Sequence, residues 1–353
     1  MFRGAMSSAA EIFRDGQWLH LVDGSNQTVG YGVYQAEGVV AIRWLGESLP
    51  DTSTLQRRLR KALGRREKLA VETEAVRLVN GESDGLPGVV LDRYGPVGVL
   101  QTYSSAVDGL GRYLGCLARR WLGLETLLWK LPRRRAGQEL PDRVLFGPPV
   151  GQVSFREGPL RLWADLGAGQ KSGTFLDLRG LRREMLSRDL AGKRVLNLFC
   201  YTGSLGLACQ QAGAARVVNV DSSAAALEFG RQHHGGEVQS WVRQDLLAGP
   251  WSEVPPGPYD LIVVDPPPMT GRSDQLERVL AAYRKLYRRC HELLAPGGEL
   301  VACCCTSRVS LERLRSLLDL VLAPLRFKGR LAPESDHRPG FPEADYLKIL
   351  RYG

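Results

Sequence analysis

Val195-Leu196-Asn197-Leu198-Phe199-Cys200-Tyr201-Thr202-Gly203 decides the fold of the C-terminal half. Its first residues form an apolar run of strand length, and its last residues make a tight turn that opens a helix. The next apolar run, RVVNVD, closes on Asp221. A strand, a turn, a helix and a second strand ending in an acid, roughly 20 residues past the glycine, are the parts of a nucleoside-binding unit. The acid is placed to accept hydrogen bonds from ribose hydroxyls. The alternation continues through YDLIVVD and GELVACCC, with helices between. An α/β fold is expected from Gly180 onward, with a parallel, doubly wound sheet covered on both faces.

The turn carries one glycine before its helix and is not GxGxxG. A dinucleotide pyrophosphate needs closer backbone approach than that, whereas a cofactor without phosphates and positively charged at sulfur does not. A dehydrogenase is therefore the weaker reading, and S-adenosyl-L-methionine is the expected cofactor. Asp245 follows the third strand, QSWVRQD, where it or its neighbours can reach an adenine amino group. Asp265-Pro266-Pro267-Pro268 closes the fourth strand at the carboxyl edge of the sheet, where ligands of such folds bind. Any one of these aspartates alone reads as a loop carboxylate or helix cap. Three at consecutive strand ends, beside an aromatic turn, form a joint signal.

Working outward, residues 17–44 alternate as a small β-meander: WLHLVD, the turn GSNQ, TVGYGVY and VVAIRWL. A helix follows, with Ser53 or Thr54 as its expected cap. It carries Arg57, Arg58, Arg60, Lys61, Arg65, Arg66 and Lys68 against Glu67 alone. Such a run is usually a solvated face, but its self-repulsion invites an anion. Residues 75–103 read as two strands around GESDGLPG, 107–122 as a helix, and 126–131 as a strand. Arg133-Arg134-Arg135 is a second basic cluster, and 144–165 adds short strands.

Lys and Arg total 47 against 38 Asp and Glu, giving +9 and a pI near 9.3, which admits a polyanionic partner without proving one. Seven cysteines, an odd number with no CxxC pair, indicate neither a disulfide framework nor a zinc site, so no metal is expected. No apolar run spans a membrane, and the N-terminus lacks the order of a signal peptide, so a cytoplasmic location is expected.

The residues now resemble a known family: the class I S-adenosylmethionine-dependent methyltransferases of large-subunit ribosomal RNA, in the branch with a PUA domain that forms 5-methylcytosine. RLVNGESDGLPGVVLDRYG (77–95) is similar to the branch's middle-domain signature. GQKSGTFLDLR (169–179) resembles the segment that family members fold over the cofactor. VLNLFCYTG, VVNVDSS, DPP and PESDHRPGFPEADYLK (333–348) resemble the rest. The resemblance implies a PUA-like β domain over 1–50, a middle α+β domain over 54–164 and a Rossmann-like catalytic domain over 165–353. MFRGAM resembles the end of the first PUA segment, so that domain is expected to be shortened. Phe175, Phe199, Tyr201, Asp221, Asp245 and Asp265 would line the cofactor site, with Lys171 and Thr174 beside it. Asn197, Thr202, Gly203, Ser222, Leu246 and Pro266 complete the candidate set from the same motifs. The implied partner is large-subunit ribosomal RNA; a homodimer is an alternative the sequence leaves open.

Carbon 5 of cytosine is a poor nucleophile, and a thiolate adding at carbon 6 makes it a good one. Family members place that cysteine at the end of the strand after a PGG turn. Counting from Pro296-Gly297-Gly298, the position falls on Cys305, flanked by Cys304 and Thr306 where the family has serines. Cys303 and Cys304 are expected to be packing residues. Asp265 fits the hydrogen-bond partner of the ring edge. The position after Asp265-Pro266-Pro267, often lysine in the family, is Pro268.

His233 and His234 are expected to be exposed, His20 and His291 to need no role, and His337 to belong to a structural turn. Arg284, Lys285, Arg288 and Arg289 recur on one helix as a solvated face or a phosphate-binding one. A guanine-7 methyltransferase and a non-catalytic RNA-binding assembly factor are the alternatives.

Overall fold

Near the N-terminus the meander forms. β1 (Trp18–Val22), β2 (Thr28–Tyr34) and β3 (Ile42–Gly46) make a three-stranded antiparallel sheet. Asp23 closes the first turn by accepting from the amides of Ser25 and Gln27. The computed structural model describes residues 1–7, 12–131, 143–269 and 273–353; Arg133-Arg134-Arg135 lies outside the described residues. The chain divides into two units, Met1–Leu176 with Ser335–Gly340, and Asp177–Glu334 with Phe341–Gly353.

The first unit continues with α1 (Thr52–Gly64) and the single turn α2 (Leu69–Glu72). The cap of α1 is neither Ser53 nor Thr54 but Asp51, whose carboxylate accepts from the Thr54 amide at 2.7 Å. An ionised carboxylate satisfies that amide and also opposes the positive end of the helix dipole, which a hydroxyl cannot do. β4 (Ala75–Asn80), β5 (Val89–Tyr94) and β6 (Val97–Thr102) follow, three strands where two were expected. The extra reversal is hidden in LDRYGPVGVL, where Gly95 takes a left-handed φ of 54° and Pro96 restarts the strand. α3 (Asp108–Leu122) carries the chain over to β7 (Thr126–Trp129), which runs parallel to β6, and β8 (Arg143–Phe146) completes a sheet ordered β4-β5-β6-β7-β8. Leu55, Leu59 and Ala62 of α1 and Leu114 and Ala118 of α3 are buried against it. β9 (Gln152–Glu157) and β10 (Leu160–Asp165) form a separate hairpin.

Two of the basic residues after the meander find a buried acid. Asp84, in the GESD turn, holds Arg66 bidentately at 2.8 Å through each oxygen and also meets Arg65. Glu67 is therefore not the sole acid answering the run. Asp336 accepts from the Arg77 amide and from His337, which is buried, so His337 belongs to a structural turn of this unit.

The second unit begins with α4 (Arg179–Leu186) and then alternates: β11 (Arg194–Leu198), α5 (Ser204–Gln211), β12 (Arg216–Asp221), α6 (Ala224–His233), β13 (Gln239–Arg243), β14 (Tyr259–Val264), α7 (Leu276–Glu292), β15 (Leu294–Cys304) and α8 (Leu311–Val321). β16 (Phe327–Leu331) and β17 (Lys348–Tyr352) close a seven-stranded sheet ordered β13-β12-β11-β14-β15-β17-β16. The first five strands are parallel as expected. β17 is not: it inserts antiparallel between β15 and β16, because the link from β16, residues 332–347, contains no α-helix to cross the sheet face and bring the chain back in parallel. The strand order reverses at β11, whose neighbours are β12 and β14. A crevice therefore opens at the carboxyl ends of these strands. Among the described residues, no helix is long and apolar enough to cross a membrane.

Candidate active site

The turn after β11 has an uncommon backbone. Phe199 (φ 59°), Tyr201 (φ 50°) and Gly203 (φ 73°) are left-handed at alternate positions, and two of them are not glycine. Each such non-glycine residue costs about 1–3 kcal/mol and persists only where its surroundings impose it. Here the surroundings are explicit. The Tyr201 amide donates to Asp221 Oδ2 at 2.8 Å, and the Cys200 amide donates to the Val220 carbonyl at 3.0 Å. From below, His234 Nδ1 lies 2.7 Å from the Thr202 carbonyl. A carbonyl can only accept, so Nδ1 carries the proton. Burial lowers this histidine's pKa to about 4, which keeps the ring neutral.

The expectation that both histidines are exposed fails at each: His233 is half-buried against the Phe229 ring, and His234 is 1% exposed. Its position extends the buried stripe of α6 through Leu227 and Gly230, a spacing that could have revealed it. Trp241 of β13 was also missed. A Cβ at Gly203 would lie 2.3 Å from its ring and one at Gly230 2.4 Å, so the indole fills the space under the turn and against α6.

Asp221 accepts from the Tyr201 and Ser223 amides, one through each oxygen, and keeps further lone pairs at the strand end. Ser222 beside it is exposed. Asn197 is drawn into a row of amides instead: its Nδ2 donates to Asn219 Oδ1 at 2.9 Å, and Asn219 donates to Gln239 at 2.8 Å. The Asn197 Oδ1 atom is buried without a hydrogen-bond partner among the described residues. Asp245 is exposed and caps its own loop, accepting from the Leu247 and Ala248 amides. Leu246 is buried, and its carbonyl accepts from the Trp251 indole.

The next strand ends form a second cluster. β14 and β15 run in parallel register, Val264 beside Ala302, so Asp265 and the cysteine run leave the sheet together. Cys303 and Cys304 are fully buried; burial, and then the Asp265 charge, push the Cys303 thiol well above its usual range. Cys305 alone of the three is partly exposed, with its sulfur 3.5 Å from the Pro266 carbonyl. Thr306 latches the loop to the strand: its hydroxyl accepts from the Met269 amide and pairs with Tyr283 at 2.8 Å. Lys348, opposite Cys304 on β17, is buried with its ammonium donating to the carbonyls of Thr306 and Tyr346, and burial lowers its pKa. Arg284, Lys285, Arg288 and Arg289 are exposed on α7, where Arg289 pairs with Glu292.

Lys171, Thr174 and Phe175 belong to the first unit. There the Lys171 ammonium stands 4.2 Å from the Phe175 ring centre, Thr174 is buried, and Gln101 donates to the Lys171 carbonyl.

The second unit's own residues fit a nucleoside with a sulfonium better than a dinucleotide. The turn presents aromatic rings at left-handed positions where a phosphate cradle would need glycines, and its carboxylate is set for hydroxyl groups. Known proteins agree. Residues 133–351 match the profile of the S-adenosylmethionine-dependent methyltransferases. The chain is 34% identical to "Ribosomal RNA large subunit methyltransferase" of Deinococcus radiodurans, over 98% of this chain and 91% of that protein. It is 30% identical to "Ribosomal RNA large subunit methyltransferase I" of Shewanella denitrificans, over 96% and 88%. Its fold is similar to that of a Streptococcus mutans protein assigned to the SAM-dependent methyltransferases (TM-score 0.82, 21% identity, 96% of this chain and 92% of that one). A class I fold, a nucleoside-type turn and relatives at this identity lead to one conclusion: the chain belongs to the S-adenosylmethionine-dependent methyltransferase family, and S-adenosylmethionine is its cofactor.

Proposed function

We propose that this methyltransferase acts on large-subunit ribosomal RNA and methylates carbon 5 of a cytosine through a covalent adduct to Cys305. The substrate class rests on the names of the two curated relatives, similar across nearly the whole chain, and on the basic charge. The chemistry rests on one observation above all. Cys305 is the partly exposed member of the cysteine run, and it lies against the loop that follows Asp265.

In this reading the Cys305 thiolate adds to carbon 6 of the base, and the ring's electrons move to carbon 5. Asp265 hydrogen-bonds the ring edge. S-adenosylmethionine supplies a methyl group on a positively charged sulfur. Carbon 5 takes that methyl, its proton passes to a base, and Cys305 leaves as thiolate, restoring the ring. Asp221 and Ser222 serve the ribose, and Asp245 and Leu246 the adenine. Phe199, Tyr201, Thr202, Gly203 and Pro266 shape the space around them, and Asn197 acts from beneath through its amide row. The roles of Lys171, Thr174 and Phe175 in cofactor binding, and of the N-terminal sheet as a PUA-like module, belong to the same proposal.

The test is product identification after incubation with labelled cofactor and deproteinised ribosomal RNA. The expected product is 5-methylcytidine, and Cys305→Ala is expected to lower its formation at least about a thousandfold, since loss of a nucleophile removes the covalent route. Labelled 7-methylguanosine, or full activity in Cys305→Ala, would sink the cytosine reading.

A further inference from the structure

α1 and α3 lie on the same side of the five-stranded sheet, sharing one core through Leu55, Leu59, Leu114 and Ala118. Gln56 donates to the Tyr113 hydroxyl at 3.1 Å, and the Arg60 guanidinium stands 4.7 Å from the centre of the Trp121 ring, so the two helices touch along their outer edges. Their outward residues include Arg57, Arg60, Lys61, Arg112 and Arg120, with Arg119 half-buried at the edge. The sole carboxylate within the two helices is Asp108, at the start of α3, and it accepts from the Thr102 hydroxyl.

Arginines elsewhere are treated differently. Arg65 and Arg66 share Asp84, and Arg77 has Asp92. On the exposed helices of the second unit, Arg231, Arg289 and Arg315 each pair with an acid one turn away. Among the described residues, the α1/α3 face has no acid paired one turn away in this manner, although like charges one turn apart destabilise a helix. Its guanidinium groups are also held in place. Arg60 stacks on Trp121, Arg112 approaches Trp129 at 5.8 Å, and Arg119 covers Phe146 at 3.1 Å. Arg119 also donates its Nε–H to the Leu124 carbonyl at 3.2 Å, whereas a guanidinium that is only stacked keeps its whole N–H edge for phosphate and loses less freedom on binding one.

We infer that the joined outer face of α1 and α3 is a docking surface for the sugar-phosphate backbone of RNA. The choice of RNA as the polyanion rests on the reading in the preceding subsection. A helix of this length runs for about 20 Å, enough to follow several consecutive phosphates.

Cys116 is exposed on α3, one turn from Arg112 and one from Arg120, and gives a probe that needs no substitution. Its alkylation, followed peptide by peptide in the full chain, is expected to slow several-fold when a labelled RNA hairpin saturates the protein. In anisotropy titrations with that hairpin, Arg57→Glu/Arg60→Glu/Arg120→Glu is expected to weaken binding at least about tenfold at low salt. It should also flatten the slope of log K against log salt by about 2 to 3. The milder glutamine triple should move both quantities the same way while matching the wild-type circular dichroism. Unchanged affinity and slope in both triples, or Cys116 reacting equally with and without RNA, would overturn the surface. So would anionic phospholipid vesicles that displace the hairpin stoichiometrically. The methylated-nucleoside assay is separate: RNA that binds with the expected variant pattern but gains no methyl would leave the surface standing and remove the methylation reading.

Discussion

Asp92 and Asp221 are both strand carboxylates, and the molecule handles them in opposite ways. Asp92 lies within β5 and is fully buried, clamped by Arg77 at 2.9 and 3.1 Å and by the Ser172 hydroxyl, which in turn meets Tyr94. Asp221 ends β12 partly open, with two backbone amides on it and capacity left over. The residue type is shared; the depth along the strand differs. A carboxylate inside a strand must be fully matched by its own protein, whereas one at the carboxyl end can leave its last partners to a ligand.

Substituting each aspartate breaks or sharpens this contrast. Asp92→Ala takes away the carboxylate that clamps the buried Arg77 guanidinium at two points, and is expected to cost about 3–5 kcal/mol in urea unfolding. Asp221→Ala removes two exchangeable amide contacts and is expected to cost about 1–2 kcal/mol, while lowering S-adenosylmethionine affinity at least about tenfold in calorimetry. Similar stability losses for the two, or undiminished cofactor affinity in Asp221→Ala, would erase the distinction.

The same contrast explains what could be read from sequence. Asp221, Asp245 and Asp265 close apolar runs, so their placement follows from the strand pattern and the fold class alone. The βαβ rhythm and the turn at Gly203 follow in the same way. Asp84 answering Arg65 and Arg66, Asp336 reaching Arg77, and Trp241 filling the space under Gly203 are contacts between segments far apart in the chain, and no local period encodes them. The antiparallel insertion of β17 was illegible for that reason too. Cys305 is intermediate: counting from Pro296-Gly297-Gly298 found the position, but its exposure relative to Cys303 and Cys304 came only with the packed sheet.

His234 carries the comparison into the second unit, as a fully committed polar group that supports an open one. Its folded pKa of about 4 lies below the ordinary 6.5. The unfolded chain therefore binds a proton between these values while the folded chain does not. Stability is complete above about pH 6.5 and is lost as pH falls toward 4, by up to about 3 kcal/mol in total. His234→Gln should show a smaller pH dependence than wild type across that window in unfolding titrations. Parallel curves would mean that the imidazole is not held neutral under the turn.

The smallest expected quantity, a coupling energy, tests whether the turn's backbone or its underlying indole fixes the open end of the sheet. Gly203→Ala places a Cβ at φ 73° and 2.3 Å from the Trp241 ring, and is expected to cost about 1–3 kcal/mol. In a Trp241→Leu background the steric part should disappear, leaving about 1 kcal/mol for the left-handed alanine. A coupling energy between the two substitutions of about 1 kcal/mol would show that indole and turn act as one unit. Additive losses would place the constraint in the backbone alone, held by Asp221 and His234 from either side.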